Sequence, residues 1–263
     1  PLILGSSDAV NSTLGAGAVL PGQATCMIGT SGAYRVLSPE PRTDPEAGTW
    51  CYALDQSHWL VGGAINNGGL ALTWLSRMIS SSLQSDTEVD IEELLHLAEL
   101  SPPGSEGLIC LPLFAGERSP HWTLDARGTF FGLAMHHNFH HIARSVLEGI
   151  AFRLRSIDEI LKPLAGPITE VRASGGFTRS VFWSQLTCDV LHQPLAIPGS
   201  GETSALGSAF WALMGMNQVS SLEDLGGLVP IRTTYQPDPE SAEMYDRTYI
   251  HYQRLYSAVS PLF

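Results

Sequence analysis

The sequence predicts an α/β fold, and three observations carry that prediction. Short apolar segments of strand length, Ala24–Ile28, Val171–Ser174 and Leu195–Ile197, each run into a turn rich in glycine or hydroxyl residues. Between them lie stretches with apolar residues at helical spacing, the longest from about Phe139 to Lys162. Two small turn motifs, Gly29-Thr30-Ser31-Gly32 and Gly175-Gly176, sit where strands end, which is where open α/β sheets hold ligands.

Composition narrows the class. The chain has 263 residues, 44% hydrophobic and 15% charged, enough for a sizeable core and unlike a disordered chain. A formal net charge of −12 and the absence of any basic stripe argue against a nucleic-acid partner. A phosphorylated ligand stays open, because helix N-termini and backbone amides hold phosphate without lysines. The four cysteines, Cys26, Cys51, Cys110 and Cys188, are far apart without metal-ligand spacing and read as reduced residues of a cytoplasmic protein. No signal peptide and no apolar run of membrane-spanning length appears, so no membrane association is expected.

In chain order, the apolar run Leu2–Leu4 reads as a strand ending at Gly5, followed by the carboxylate Asp8 in a Ser-rich turn. A short helix with a small-residue face is expected from about Asn11 to Gly17, then a strand at Ala24–Ile28. The GTSG that follows can be a plain hairpin turn or a cradle of backbone amides and hydroxyls for an anion. Strands are expected at Ala33–Leu37, Trp50–Leu54 and His58–Val61, and a helix at about Leu70–Ser81. Before that helix, the glycine pairs around Asn66-Asn67 allow close approach of a ligand or of neighbouring structure. A helix at about Ile91–Leu100 and a buried strand at Gly107–Phe114 come next, with Glu117 and Arg118 in the loop beyond expected to pair structurally with one another or with other charges. Gly128–Leu133 reads as extended.

The long helix carries one apolar stripe, with Arg144, Glu148, Arg155, Asp158 and Glu159 off it. The histidines around Asn138 lack a metal-site pattern and read as polar helix-start residues, so no metal ligands are assigned. Val171–Ser174, the Gly175-Gly176 turn and a helix at Val181–Leu191 form a strand–GG–helix unit able to floor a purine slot. Without a GK[ST] sequence it is not a Walker loop. Glu202-Thr203-Ser204 should cap a helix at Ala205–Met214 whose Gly207 and Ser208 permit close packing, and the final helix should turn Tyr245, Tyr249, Tyr252 and Tyr256 to the core.

The order GSSD, LGAG, IGTSG, then LPLFAGERSPHW, ARGTFFGL, HHIARSVLEGIAFRL, ASGGFTRSVFWSQLTCDVLHQPL and GETSALGSAFWA resembles the FGGY family of carbohydrate kinases. The most specific piece is Gly128-x3-Gly132-Leu133 followed by His141-Ile142-x2-Ser145-Val146-Leu147-Glu148, which fits a family signature. Within the family, GTSGAYR and GGAINNGG are more similar to gluconate kinases than to glycerol or xylulose kinases.

The resemblance implies an actin-like (ribonuclease-H-like) ATPase fold, a mixed sheet flanked by helices. Residues 1–263 would form the carboxyl-terminal domain, with the amino-terminal domain absent from this chain. It also implies ATP-dependent phosphorylation of a sugar or sugar acid, gluconate to 6-phosphogluconate first. A xylulose- or glycerol-type kinase and a non-catalytic nucleotide-binding module are the alternatives. Asp8 would be the catalytic base, Gly29, Thr30, Ser31 and Gly32 the loop facing the phosphates, and Gly175 and Gly176 the flanks of the adenosine. Arg179 and Gln185 would lie nearby. Mg2+ would be held mainly through the phosphates and the missing domain, and the cation for a sugar-acid carboxylate is expected outside this chain. The isolated chain is expected to be inactive and prone to self-association, a homodimer being one form.

Overall fold

A computed structural model describes residues 2–82 and 89–263. Helix α1 (Asp8–Gly15) comes first, then β1 (Gln23–Ile28), β2 (Gly32–Ser38), β3 (Trp50–Ala53) and β4 (Trp59–Ile65). Helices α2 (Gly69–Ser82) and α3 (Ile91–Glu99) lead to a separate pair of strands, β5 (Ile109–Leu111) and β6 (Thr129–Phe131), and to the long helix α4 (Phe139–Ala165). The remainder is β7 (Glu170–Ser174), α5 (Val181–Leu191), β8 (Leu195–Pro198), α6 (Thr203–Gly215), α7 (Leu222–Gly226), β9 (Ile231–Tyr235) and α8 (Pro239–Val259).

Seven strands form one mixed sheet in the order β3-β4-β2-β1-β7-β8-β9. The β1–β7 and β7–β8 pairs are parallel and the other neighbours antiparallel. Strand alternation sorts the side chains between two cores. Tyr34 and Val36 join Cys26, Val61 and the apolar face of α4, while Leu60 packs with Val10 and Leu14 of α1 and Phe210 of α6.

Most of the expected elements form within a residue or two. The apolar run at Leu2–Leu4 does not become a strand: Leu2 is 97% and Leu4 87% exposed, and residues 2–7 pair with no strand of the sheet. An extended segment without a ladder leaves its amides to water and gains nothing from β geometry. Helix α1 starts earlier than its small-residue pattern implied, because Ser7 caps it by accepting from the Val10 amide at 3.4 Å. Strand β5 is shorter than GLICLPLF suggested, since Pro112 has no N–H to continue the ladder. Glu202 precedes α6 without a side-chain cap. Helix α7 and edge strand β9 were not legible, and β9 is largely exposed, so it carries no buried pattern to read.

Helix α4 departs most from expectation. It is buried over most of its surface, wedged between the sheet, α3, α5 and α8, so Arg144, Glu148 and Asp158 off its apolar stripe meet protein while Glu159 stays exposed. Its charges are therefore paired inside. Arg144 donates to Glu148 at 2.9 Å and to the Tyr245 hydroxyl at 2.8 Å, and Glu148 also accepts from the Gly104 amide and the Ser105 hydroxyl. Asp158 pairs with Lys162 at 2.6 Å, and Arg153 lies 3.5 Å from Glu117 with both fully buried. Asn138 caps the helix in a box with His141, so that part of the histidine run belongs to a helix start. Tyr245, Tyr249 and Tyr252 of α8 pack inward against Phe152.

Helices α1 and α6 touch backbone to backbone. A Cβ on Gly15 would lie 1.8 Å from the Thr203 carbonyl oxygen, and one on Gly207 would lie 1.9 Å from that of Asn11. Asn11 fixes the register by donating to Ser208 Oγ and accepting from the Trp211 indole, each at 3.0 Å. Cys26, Cys110 and Cys188 are buried free thiols, and burial pushes Cys26 and Cys188 up to about 12. Among the described residues no helix is long and apolar enough to cross a membrane.

The Glu117–Arg153 pair gives a stability test. Removing one partner of a buried ion pair leaves an uncompensated charge and costs about 3–5 kcal/mol. Arg153→Met should lower unfolding free energy by that order at pH 7 in urea titrations. Burial already holds the Glu117 carboxyl above its usual range, with Arg153 pulling the other way, so the variant raises it further. A carboxyl raised in the folded state is protonated in both states below its unfolded value of about 4.3, and its cost grows as pH rises through the folded value. The deficit should be largest at pH 7 and shrink toward pH 4.5. An equal deficit at both pH values would exclude Glu117 as the cause.

Candidate active site

The site is built around the tip of the β1–β2 hairpin. The Gly29 amide donates to the Ser31 carbonyl at 2.8 Å and closes the turn. The carbonyls of Gly29 and Thr30 point the other way and accept from Gly68, Gly69 and Leu70 at 2.7–3.2 Å, which satisfies the first amides of α2. Gly68 and Gly69 make this approach possible: a Cβ on Gly68 would sit 2.8 Å from the Gly29 oxygen, and one on Gly69 3.0 Å from it. The amides and hydroxyls of Thr30 and Ser31 have no hydrogen-bond partner among the described residues, with Thr30 exposed and Ser31 half-buried. The glycine pair therefore serves packing, and the GTSG segment forms the turn of the β1–β2 hairpin.

The neighbouring asparagines are structural. Asn67 donates to the Gly116 carbonyl at 2.8 Å and accepts from the Ala115 amide at 3.0 Å, while Asn66 donates to the Ala115 carbonyl. Glu117 takes the amides of Asn66 and Arg118, both at 2.8 Å. Glu117 and Arg118 are thus not an ion pair with one another. Glu117 pairs with Arg153, and Arg118 donates to the Ile65 carbonyl at 3.0 Å.

Two clefts flank the hairpin tip. The larger, about 930 Å³, is lined by Gly29 and Thr30, by Gly69, Leu70, Leu72 and Thr73 at the start of α2, by α3, and by Gly176, Arg179 and Gln185 with the aromatic residues Phe177, Phe182 and Trp183. The smaller, about 540 Å³, is lined by Ser31, Gly32 and Asp8, with Arg35, Trp50, Tyr52 and Arg118. Ser31 and Thr30 are adjacent, so the two clefts meet at the loop.

Five of the six glycine and hydroxyl residues singled out from sequence, and the carboxylate, divide between the two clefts. Asp8 does not follow a strand: it is the first residue of α1, exposed, with Oδ1 accepting from the Ala9 amide at 2.8 Å. A carboxylate in that first turn suits the positive end of the helix dipole, and the α1–α6 contact fixes where it points. Gly176 borders the larger cleft with nothing within 4 Å of where a Cβ would stand. Gly175 does not line it. With φ +98 and a Cβ position 2.4 Å from the Ile28 carbonyl oxygen, Gly175 lets β7 turn tightly across the end of β1.

Sequence reading missed Arg35, Trp50 and Tyr52. Arg35 lies on a buried strand, 6% exposed, and its stem crosses Gly62, where a Cβ would come 2.9 Å from the arginine Cγ. The signal available was a lone cation among apolar β-strand neighbours. Trp50 and Tyr52 stack on one another at 4.2 Å on β3 and form the outer wall.

A mixed sheet with a hairpin tip between a carboxylate-bearing cleft and a glycine-floored cleft defines a protein of the actin-like ATPase fold. The chain belongs to the FGGY family of carbohydrate kinases, whose C-terminal domain matches residues 24–216. It is 37% identical over 250 residues to a gluconokinase of Bacillus subtilis (strain 168), covering 93% of this chain and 49% of that protein. It is 29% identical over 265 residues to a xylulose kinase of Escherichia coli (strain K12), covering 100% and 53%. The crystal structure of gluconate kinase from Lactobacillus acidophilus superposes with a TM-score of 0.91 at 32% identity, over 97% of this chain and 51% of that one. The chain thus spans about half the length of the relatives it matches.

Gly176 offers a direct probe of the larger cleft. Its backbone lies outside the left-handed region and its Cβ direction is open, so Gly176→Val should fold normally and project a branched side chain into the cleft. Nucleotide affinity of the full-length protein should fall by roughly 10-fold or more with unchanged circular dichroism, the cost of one obstructed contact surface. Native affinity in the folded variant would put the nucleotide elsewhere.

Proposed function

We propose that this chain is the nucleotide-binding half of an ATP-dependent kinase acting on gluconate and giving 6-phosphogluconate. The observation that carries the reading is the meeting of two clefts at the Thr30–Ser31 edge, one with a free carboxylate and one with an open glycine floor. The identity to gluconokinases supports gluconate as acceptor.

In this reading the purine and ribose lie in the larger cleft beside Gly176, between α3 and the start of α5. The triphosphate reaches the hairpin tip, where the open amides and hydroxyls of Thr30 and Ser31 meet its oxygens, with Gly29 and Gly32 allowing the approach. The acceptor lies in the smaller cleft. Asp8 takes the proton of its primary hydroxyl as that oxygen attacks the γ-phosphorus and ADP leaves. Phosphoryl transfer needs alignment and charge neutralisation more than covalent help, so one well-placed base suffices.

Magnesium neutralises phosphate charge in such transfers. Among the described residues no three His, Cys, Asp or Glu side chains come together as a cage. In this reading the ion is held by the phosphates and by the other half of the kinase, which would also supply the remaining acceptor contacts.

Two outcomes test this reading. In the full-length protein, Asp8→Asn should leave ATP affinity near wild type and cut turnover by roughly 100-fold or more. Retained turnover would remove Asp8 from the mechanism. The isolated chain should release no ADP in a coupled assay with gluconate and magnesium, because alignment worth about 7–11 kcal/mol of barrier is lost with the other half. Sugar-dependent turnover by the chain alone would show that it carries the whole site. Preference for xylulose over gluconate in the full-length protein would instead favour a pentulose kinase.

A further inference from the structure

Arg35 and Arg118 stand apart from the other buried or half-buried arginines. Arg144, Arg153, Arg155 and Arg172 each have a carboxylate partner. Arg35 and Arg118 form no ion pair among the described residues. Arg35 donates from Nη1 to the Ser12 hydroxyl at 3.2 Å, and its Nε is buried without an acceptor. Arg118 donates from Nη2 to the Ile65 carbonyl, and its Nε is likewise buried and unpartnered. Both line the smaller cleft with Asp8, and the charges of Asp8 and Arg118 both act on Arg35.

Leaving a buried guanidinium with no carboxylate in hydrogen-bond contact is costly, and its fork is shaped for one. Burial pulls Arg35 down only to about 10, so it stays cationic at neutral pH. The fold also makes room for it: Gly62 clears its stem, and the guanidinium lies 6.0 Å from the centre of the Trp50 ring. An aldonic acid has a primary hydroxyl at one end and a carboxylate at the other, which matches a cleft lined both by Asp8 and by two arginines that form no ion pair among the described residues.

We propose that Arg35 and Arg118 together bind the carboxylate of a sugar-acid acceptor and so set the preference of this site for acids over neutral sugars. The assignment rests on the kinase reading above. It moves the acid-binding cation, expected outside this chain, to within it. Trp50 and Tyr52 then cover the carbon chain between the two ends.

The test compares gluconate with glucitol, which carries a hydroxymethyl group in place of the carboxylate, in the full-length protein. Arg35→Gln and, on the less buried position, Arg118→Gln should each raise KM for gluconate by roughly 50-fold, the effect of truncating one side of a buried charged contact. The gluconate-to-glucitol ratio of kcat/KM should collapse accordingly, with KM for ATP unchanged, and Arg35→Lys should recover part of the loss. Equal falls in kcat for both acceptors would make Arg35 a positioning residue for Asp8 and overturn the proposal. Unchanged gluconate kinetics in both variants would overturn it while leaving the kinase reading intact. A wild-type protein that phosphorylates another aldonate but not gluconate would retain the proposal and change the substrate. One that turns over only neutral sugars would overturn both.

Discussion

The site depends on one joint, the backbone hydrogen bonds by which the Gly29–Thr30 carbonyls close the N-terminus of α2. Helix N-termini need acceptors for their first amides, and here a hairpin tip supplies them instead of a side-chain cap. The geometry works only because Gly68 and Gly69 carry no Cβ where the hairpin arrives. The same joint sets the orientation of the loop. With its carbonyls committed to α2, the loop leaves Thr30 bordering the larger cleft and Ser31 bordering the smaller.

Everything else around the loop holds that arrangement from behind. Asn66, Asn67 and Glu117 tie the end of β4 to the segment 115–118, and Arg153 anchors Glu117 to the middle of α4. Arg118 reaches its cleft from that tied segment. Asp8 reaches the same cleft from α1, which is locked on α6 by the contacts of Gly15 and Gly207. The two walls of the smaller cleft are therefore carried by elements far apart in the chain, and neither wall is a loop free to drift.

Buried charge is the recurring cost in this fold. Glu148 and Asp158 sit above their ordinary range because burial outweighs their cationic partners. Such groups contribute less to stability than to register, since breaking a pair is far worse than never having had it. Each ties α4 to a different neighbour: Glu148 to the loop at Gly104–Ser105, Arg144 to α8, and Arg153 to the segment carrying Arg118. The central helix thus fixes the periphery through polar contacts, while its apolar stripe fixes the sheet.

Residue patterning was enough to locate most elements and to point to the family. Period-2 and period-3.6 patterns located most strands and helices, because each buries one side against a common core. The motif order identified an FGGY kinase domain. Sequence also singled out Asp8, the GTSG loop and Gly175-Gly176, each ordinary turn chemistry alone and drawn out by its place in the motif order. Only the tertiary structure decided how those residues divide between two clefts, since that depends on which faces of β1 and β2 meet α1 and α2. It also decided that Leu2–Leu4 is not a strand, that Gly175 is needed for backbone approach, and that α4 is buried with its charges. Those outcomes turn on partners distant in sequence. Arg35 is the clearest case: one cation on an apolar strand has no visible purpose until Gly62, Trp50 and Asp8 come around it.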